Sequence, residues 1–286
     1  MRIHSDLGMK KYIITYGDEK CKSARMRFVQ NALNLNIFDE VIGYSEKDIS
    51  SELQRSSIIK EKRGGGLWSW KPDIILTTLN KMEDGDYLVY CDAGCTLYNC
   101  KEWNHYWKIL ETHDIIAQRI YQRTNKWTRR NIIDYFSTSI PRKWEKCYQF
   151  LATVIMIKAT PLTRLFVKEW RNLMIEHPEM VKDVMPKEKN IESECFIENR
   201  HDQAIYSAMI YNYLCNDKTS KLIYTQWEHI EDHDVFVQQA IRATRLRNGE
   251  KESFSKLINA SIKRLIKDYF LKPFFFHPLQ TYYISK

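Results

Sequence analysis

The stretch Asp86-Tyr87-Leu88-Val89-Tyr90-Cys91-Asp92-Ala93-Gly94-Cys95 constrains this chain more than any other. An apolar, β-branched and aromatic run ends in an acid, a small residue and a glycine. That is the pattern of a buried strand with a carboxylate at its C-terminal tip. Ligands of open α/β sheets bind just outside such ends, which makes Asp92 the first candidate for chemistry. Small residues after it let a divalent cation or a sugar hydroxyl approach the carboxylate. The competing reading is an aspartate that caps the following turn. Asp84-Gly85-Asp86 has an acid-x-acid form too, but Asp-Gly ahead of a strand is ordinary turn chemistry.

The flanking sequence supplies the layers such a strand needs. Lys10–Tyr16 reads as a first strand and Gly17-Asp18 as a turn. Ser23 is placed to cap a helix running to about Asn36, and Glu40–Tyr44 reads as a second strand. This strand–helix–strand rhythm predicts a βαβ unit and a parallel sheet. Further strands are predicted over Asp114–Gln118 and Ala152–Lys158. Helices are predicted from Pro72 through Asn80, over Pro161–Glu176 behind a Thr160 cap, and from His201 to Tyr213. The charged run Val181–Asn199 between them reads as loop.

Composition narrows the partners. Lys and Arg number 44 against 36 Asp and Glu, a formal net charge of +8. The excess suits nucleic acid, an anionic membrane face or a phosphorylated small molecule, and does not choose among them. Seven cysteines, with Cys91, Cys95 and Cys100 clustered but without zinc-site spacing, read as reduced thiols. No apolar stretch reaches the roughly 18 residues that span a bilayer, and Met1–Gly8 lacks the apolar core of a signal peptide. A cytoplasmic location is expected.

Three other stretches invite function. Lys60–Pro72 sets Gly64, Gly65 and Gly66 among Lys60, Lys62, Arg63 and Lys71, with Trp68 and Trp70 alongside. It lacks the GK[ST] of a Walker loop and reads either as a surface loop or as backbone made for close approach. Arg119 to Lys146 is basic and aromatic, with Arg119, Arg123, Lys126, Trp127, Arg129 and Arg130. From Phe254 to Phe270 apolar residues keep helical spacing with lysines largely off the stripe, and Phe274, Phe275 and Phe276 follow. That tail reads either as a membrane-surface anchor or as a face packed on the domain or on a sister subunit of a homo-oligomer. The boundary is expected at 228/229, giving a catalytic domain over 1–228 and a basic amphipathic helical extension over 229–286.

His201-Asp202-Gln203 sets an imidazole, a carboxylate and an amide at a helix start, fit for a sugar, a metal or base catalysis, and equally for capping. His229 and His233 with nearby acids read as a metal site or as surface charge. Arg242, Arg245 and Arg247 read as diphosphate ligands or as solvated side chains.

Taken in order, Phe38–Ile42, Gly66-Leu67-Trp68-Ser69-Trp70-Lys71-Pro72, Asp84–Cys95 and His201-Asp202-Gln203-Ala204-Ile205 resemble bacterial glycosyltransferases of capsule and lipopolysaccharide gene clusters. The resemblance covers roughly Lys10 to Tyr213 and implies an α/β, Rossmann-like GT-A fold with a C-terminal helical extension. It implies transfer of a hexose from a nucleotide-diphosphate sugar, UDP-linked, to a lipid-linked surface glycan at the inner face of the cytoplasmic membrane. By it, Asp92 stands at the first acid of the family's DxD motif and would hold Mn²⁺ or Mg²⁺, whereas the second acid is replaced by Gly94. Thr15, Tyr16 and Gly17 would face the nucleotide base, and Arg63 and Lys71 the diphosphate. Trp70, Ala93, Gly94 and Gln203 would line the substrate, and Asp202 with His201 would act on the acceptor hydroxyl. Two competing readings stand beside it: a nucleic-acid-binding protein using Arg119–Arg130 as a stacking groove, and a non-catalytic peripheral membrane scaffold.

Overall fold

The computed structural model describes residues 8–217, 221–228, 230, 239–246 and 262. Nine strands are formed among them: β1 (Lys11–Tyr16), β2 (Glu40–Tyr44), β3 (Tyr87–Cys91), β4 (Thr96–Leu97), β5 (Ile115–Arg123), β6 (Tyr148–Phe150), β7 (Val154–Lys158), β8 (Ile223–Trp227) and β9 (Ile241–Arg242). Seven of them make one sheet in the order β2-β1-β3-β7-β5-β6, with β8 also paired to β5.

The expected βαβ unit is present, with β2 and β3 both parallel to β1. The sheet is nonetheless mixed. β7 runs antiparallel to β3 on one side and to β5 on the other, whereas β8 runs parallel to β5. Periodicity in a sequence reports which residues face inward and not which way a strand runs.

All five residues of β3 are buried, as befits a central strand covered on both faces. Leu88 and Tyr90 point into one core with Ile14, Ile74, Trp170 and Tyr206, and Val89 and Cys91 into the other with Ile13, Phe28 and Trp103. The first core is closed by the helices Trp70–Leu79, Pro161–Glu176 and His201–Asn216, and the second by Lys22–Leu35 and Glu102–Thr112. Within His201–Tyr211 only Gln203 escapes burial. The helix is apolar around most of its circumference because it runs through the protein.

Local signals place most boundaries. The Pro161–Glu176 helix starts where expected, its Thr160 hydroxyl accepting from Thr163 N at 3.2 Å. The Lys22–Leu35 helix is not capped by Ser23. Asp18 instead caps a short 3-10 turn over Glu19–Cys21 that leads into it. The Trp70–Leu79 helix opens two residues before Pro72, so the proline takes its third position.

Residues 239–246, assigned by sequence to a separate extension, belong to this fold. β9 pairs with β4, and Ile230 and Ala240 lie in the second core. The membrane-facing helix, the phenylalanine cluster, His229, His233 and Arg247 lie outside the described residues. Among the described residues no helix is long and apolar enough to cross a membrane.

Candidate functional site

Asp92 lies where the sequence put it, at the C-terminal tip of β3, with its backbone N–H bonded to Thr153 O at 2.9 Å. The turn that follows is clamped from both sides. Arg27 donates to Ala93 O and to Cys95 O, both at 2.8 Å, and the Thr244 hydroxyl donates to Gly94 O at 2.8 Å. A β-carbon on residue 94 would come within 3.2 Å of Arg245 Cα, which explains the glycine.

The Asp92 side chain keeps 36% of its surface exposed and takes two contacts, both on Oδ1: Tyr90 Oη at 2.5 Å and Lys71 Nζ at 3.6 Å. Burial and the adjacent Asp92 carboxylate push the Tyr90 phenol far up, so it stays a donor. Lys71 Nζ also donates to Asp202 Oδ2 at 2.7 Å and to Ala152 O at 3.0 Å. Only 4% of the lysine side chain and 8% of the Asp202 side chain are exposed. Burial disfavours the Lys71 ammonium, but Asp202 and Asp92 outweigh it and hold its pKa above the ordinary lysine value. Burial likewise pushes the Asp202 carboxyl upward, with Lys71 pulling it back.

Beside Asp202, His201 stands in a left-handed backbone conformation (φ 51°). Its ring lies 5.0 Å from that of Trp68, and Nε2 is 3.1 Å from Asp183 Oδ1. Arg63 reaches the same Asp183 oxygen at 2.5 Å. Burial, aided by Arg63 and opposed by Asp183, brings His201 down to about 4, so the imidazole is neutral near pH 7. Although partial burial opposes it, Arg63 and His201 hold Asp183 below the usual carboxylate range. Gln203 Nε2 donates to Gln149 Oε1 at 2.8 Å and to Gln122 Oε1 at 3.3 Å, tying the helix start to β6 and β5.

These positions correct several assignments. Lys71 does not face a diphosphate, because all three ammonium directions meet protein oxygens. Asp202 and His201 are buried and engaged, one as an ion-pair partner and one as a neutral ring with little basicity, so neither is posed as a general base. Thr15 is fully buried, Tyr16 stacks on Trp70 at 4.0 Å, and Gly17, just past the end of β1, is buried as well. Arg63 answers Asp183 rather than the turn at Asp92. Trp70 donates Nε1–H to Gly64 O at 2.9 Å. The glycine triplet permits close approach of its own chain: a β-carbon on Gly64 would strike the Trp68 ring at 2.5 Å and one on Gly66 would meet Ile59 Cα at 3.0 Å.

The basic patch is split, with Arg123 and Lys126 exposed. Arg119 and Arg129 are buried. Arg119 lies over the Phe150 and Trp227 rings, and Arg129 pairs with Glu188 and Glu192. Arg242 lies 4.6 Å over the Tyr98 ring. Asp84 is paired with Arg164, and Asp86 accepts from Lys10 N at 2.9 Å, both structural as expected. Arg27, Asp183 and Gln149 stand in no motif that points to the site, and Tyr90, inside the run that ends at Asp92, reads there only as one of its aromatic residues.

The described residues do not compose a divalent-cation site. Nowhere among them do three or more His, Cys, Asp or Glu gather around one point. At Asp92 an ammonium already lies against the carboxylate, and position 94 carries a glycine where a second acid would stand. A cleft of about 710 Å³ lined by Lys11, Asn36, Phe38, Asp39, Asn104 and Trp107 opens at the other end of β1, remote from this cluster.

No family model matches the chain, and no curated protein does. Solved structures do. A galactosyltransferase, LgtC, in complex with donor and acceptor sugar analogues aligns at 14% identity and a TM-score of 0.35, over 69% of this chain and 70% of that one. Mouse xyloside xylosyltransferase 1 aligns at 11% identity and a TM-score of 0.38, over 76% and 85%. The bifunctional glycosyltransferase WbbM aligns at 7% identity and a TM-score of 0.45, over 92% and 45%. These neighbours are glycosyltransferases. At such low identity and TM-scores, the functional argument rests on the site itself.

Proposed function

We propose that this protein is a glycosyltransferase that moves a hexose from a nucleotide-diphosphate sugar to a hydroxyl of a lipid-linked surface glycan. The observation that carries the reading is Asp92: a half-exposed carboxylate at the C-terminal tip of a central strand, held from behind by Tyr90 and a buried lysine. Buried charge assembled beneath one exposed acid is the mark of a functional site more than of a structural one.

The donor lies across the ends of β1 and β3. Its base sits near Gly17 and the rim of the Tyr16–Trp70 stack, and its diphosphate lies near the turn clamped by Arg27. Tyr90 and Lys71 both engage Oδ1, and no described residue bonds Oδ2, which is therefore available to a ligand hydroxyl. Charge builds on the diphosphate as the glycosidic bond breaks, and the Arg27 guanidinium on the turn favours it. Asp202 does not touch substrate here. It fixes Lys71, which fixes Asp92. A lipid-linked acceptor at the inner face of the cytoplasmic membrane, the UDP identity of the donor and a basic tail that grazes the membrane belong to the same proposal, and rest on the sequence resemblance and the net charge.

The test is release of nucleoside diphosphate from a panel of UDP-, GDP- and dTDP-sugars by the full chain. Turnover of one of them, lost in Asp92→Ala, supports the reading. Turnover of none, or full activity in Asp92→Ala, refutes it.

A further inference from the structure

Burying an ammonium removes several kcal/mol of hydration, and a lysine stem can ordinarily lead its charge out to water. Lys71 does not. Its nitrogen sits among three oxygens, Asp202 Oδ2 at 2.7 Å, Ala152 O at 3.0 Å and Asp92 Oδ1 at 3.6 Å. Tyr90 and Trp70 wall the same space, their ring centroids 5.4 and 5.9 Å away. Two carboxylates and a carbonyl are the hard oxygen donors that a divalent cation takes, and an ammonium has three N–H groups to offer them. Across the turn, a β-carbon at position 94 would press on the backbone of Arg245 at 3.2 Å.

We infer that Lys71 is the built-in cation of this site: it holds Asp92 and Asp202 together as a divalent ion would, and the donor binds without metal. The inference rests on the transferase reading and says how that site handles charge. The two carboxylates are met by the Lys71 ammonium between them and by the Arg27 guanidinium on the turn, so an incoming diphosphate finds positive charge without an added ion. Lys71 is a positioning residue, since its nitrogen touches Asp92 and not the substrate.

The experiment uses the full-length, chelator-treated protein. Binding of UDP, GDP and dTDP is measured by calorimetry in EDTA and in Mn²⁺, and Mn²⁺ uptake is followed by loss of the six-line EPR signal of the free ion. Wild type is expected to bind one of the nucleotides with affinities within about twofold in the two buffers, and to take up no Mn²⁺ on its own. Lys71→Ala leaves an ammonium-sized gap between two acids and is expected to acquire Mn²⁺ binding. A wild-type affinity more than tenfold tighter in Mn²⁺ than in EDTA overturns the inference and leaves the transferase reading standing. A folded Lys71→Ala protein that takes up no Mn²⁺ overturns it as well. Should that variant fail to fold, the wild-type comparison decides alone. No binding of any nucleotide in either buffer defeats the inference together with the function on which it rests.

Discussion

Lys71 and Asp73 stand two residues apart at the start of one helix, and each anchors a buried ionic network. Asp73 is 1% exposed and accepts from Arg171 Nε at 2.6 Å, Ser50 Oγ at 2.6 Å and Ser50 N at 2.8 Å. Arg171 in turn donates to Ser50 Oγ and to Glu52, both at 2.9 Å. Burial opposes the guanidinium charge, but Asp73 and Glu52 hold the Arg171 pKa up. This network pins the Pro161–Glu176 helix to the Trp70–Leu79 helix and reaches the surface at Glu52, whose side chain is 62% exposed. The Lys71 network is built from the same kinds of group, and its outer acid is Asp92, at the tip of β3 with 36% of its side chain exposed. The contrast teaches what a buried charge is for. Both networks reach the surface through one acid, and only Asp92 stands at the C-terminal tip of a central strand, where open α/β sheets bind their ligands.

Breaking each network at one point tests that contrast. The largest effect is expected from Arg171→Met, which strands a buried Asp73 carboxylate. Removing one partner of a buried pair costs about 3–5 kcal/mol, to be read from urea denaturation, and a loss below about 1 kcal/mol would contradict a structural role. Asp92→Asn is expected to do the reverse. Stability should change by about 0.5 kcal/mol or less, as for surface substitutions. Turnover should fall on the order of 10²- to 10³-fold, as when one preorganised polar contact to the reacting charge is lost. Equal losses of stability in the two variants would erase the distinction between the networks.

His201 sharpens the comparison through pH. Its folded pKa is depressed to about 4 from an ordinary 6.5, so between those values the unfolded chain binds the extra proton. Its contribution is therefore complete above about pH 6.5 and is lost as pH falls toward 4. At 1.36 kcal/mol per pH unit, roughly 2 kcal/mol should disappear by pH 5. His201→Asn tolerates the left-handed backbone and does not titrate, so its stability should be flatter across this window. A wild-type profile just as flat would show that the ring is not buried as described. The smallest effect is expected from Gly94→Ala. The added carbon meets Arg245 Cα at 3.2 Å, and mild overpacking of this kind costs about 1 kcal/mol. A stabilised variant would mean that the β9 stretch does not pack on the turn.

Much of the frame was legible in the sequence because its signals are local. The Thr160 cap and Pro161 mark a helix start to the residue, the short β-branched and aromatic runs Lys11–Tyr16 and Glu40–Tyr44 mark strands, and the apolar run into Asp92 marks the tip where the site lies. What stayed hidden depends on pairing between distant residues. β7 enters between β3 and β5 against the direction of both, which no periodicity reports. Lys71 and Asp202 lie 131 residues apart. A lysine beside glycines and tryptophans reads as a phosphate ligand until the fold encloses it with two acids. Asp183 sits in a charged run that reads as loop, and only the fold brings it to His201 and Arg63. The division at 228/229 failed for residues 239–246 because a two-residue strand such as β9 carries almost no pattern of its own.

The most direct measurement is a difference electron-density map from crystals of the protein soaked with UDP. The account predicts a nucleotide across the ends of β1 and β3, with a ligand oxygen within about 3 Å of Asp92 Oδ2, the reach of a hydrogen bond. Density in the cleft lined by Lys11, Asn36 and Phe38 at the opposite end of the sheet, with the Asp92 turn bare, would contradict it.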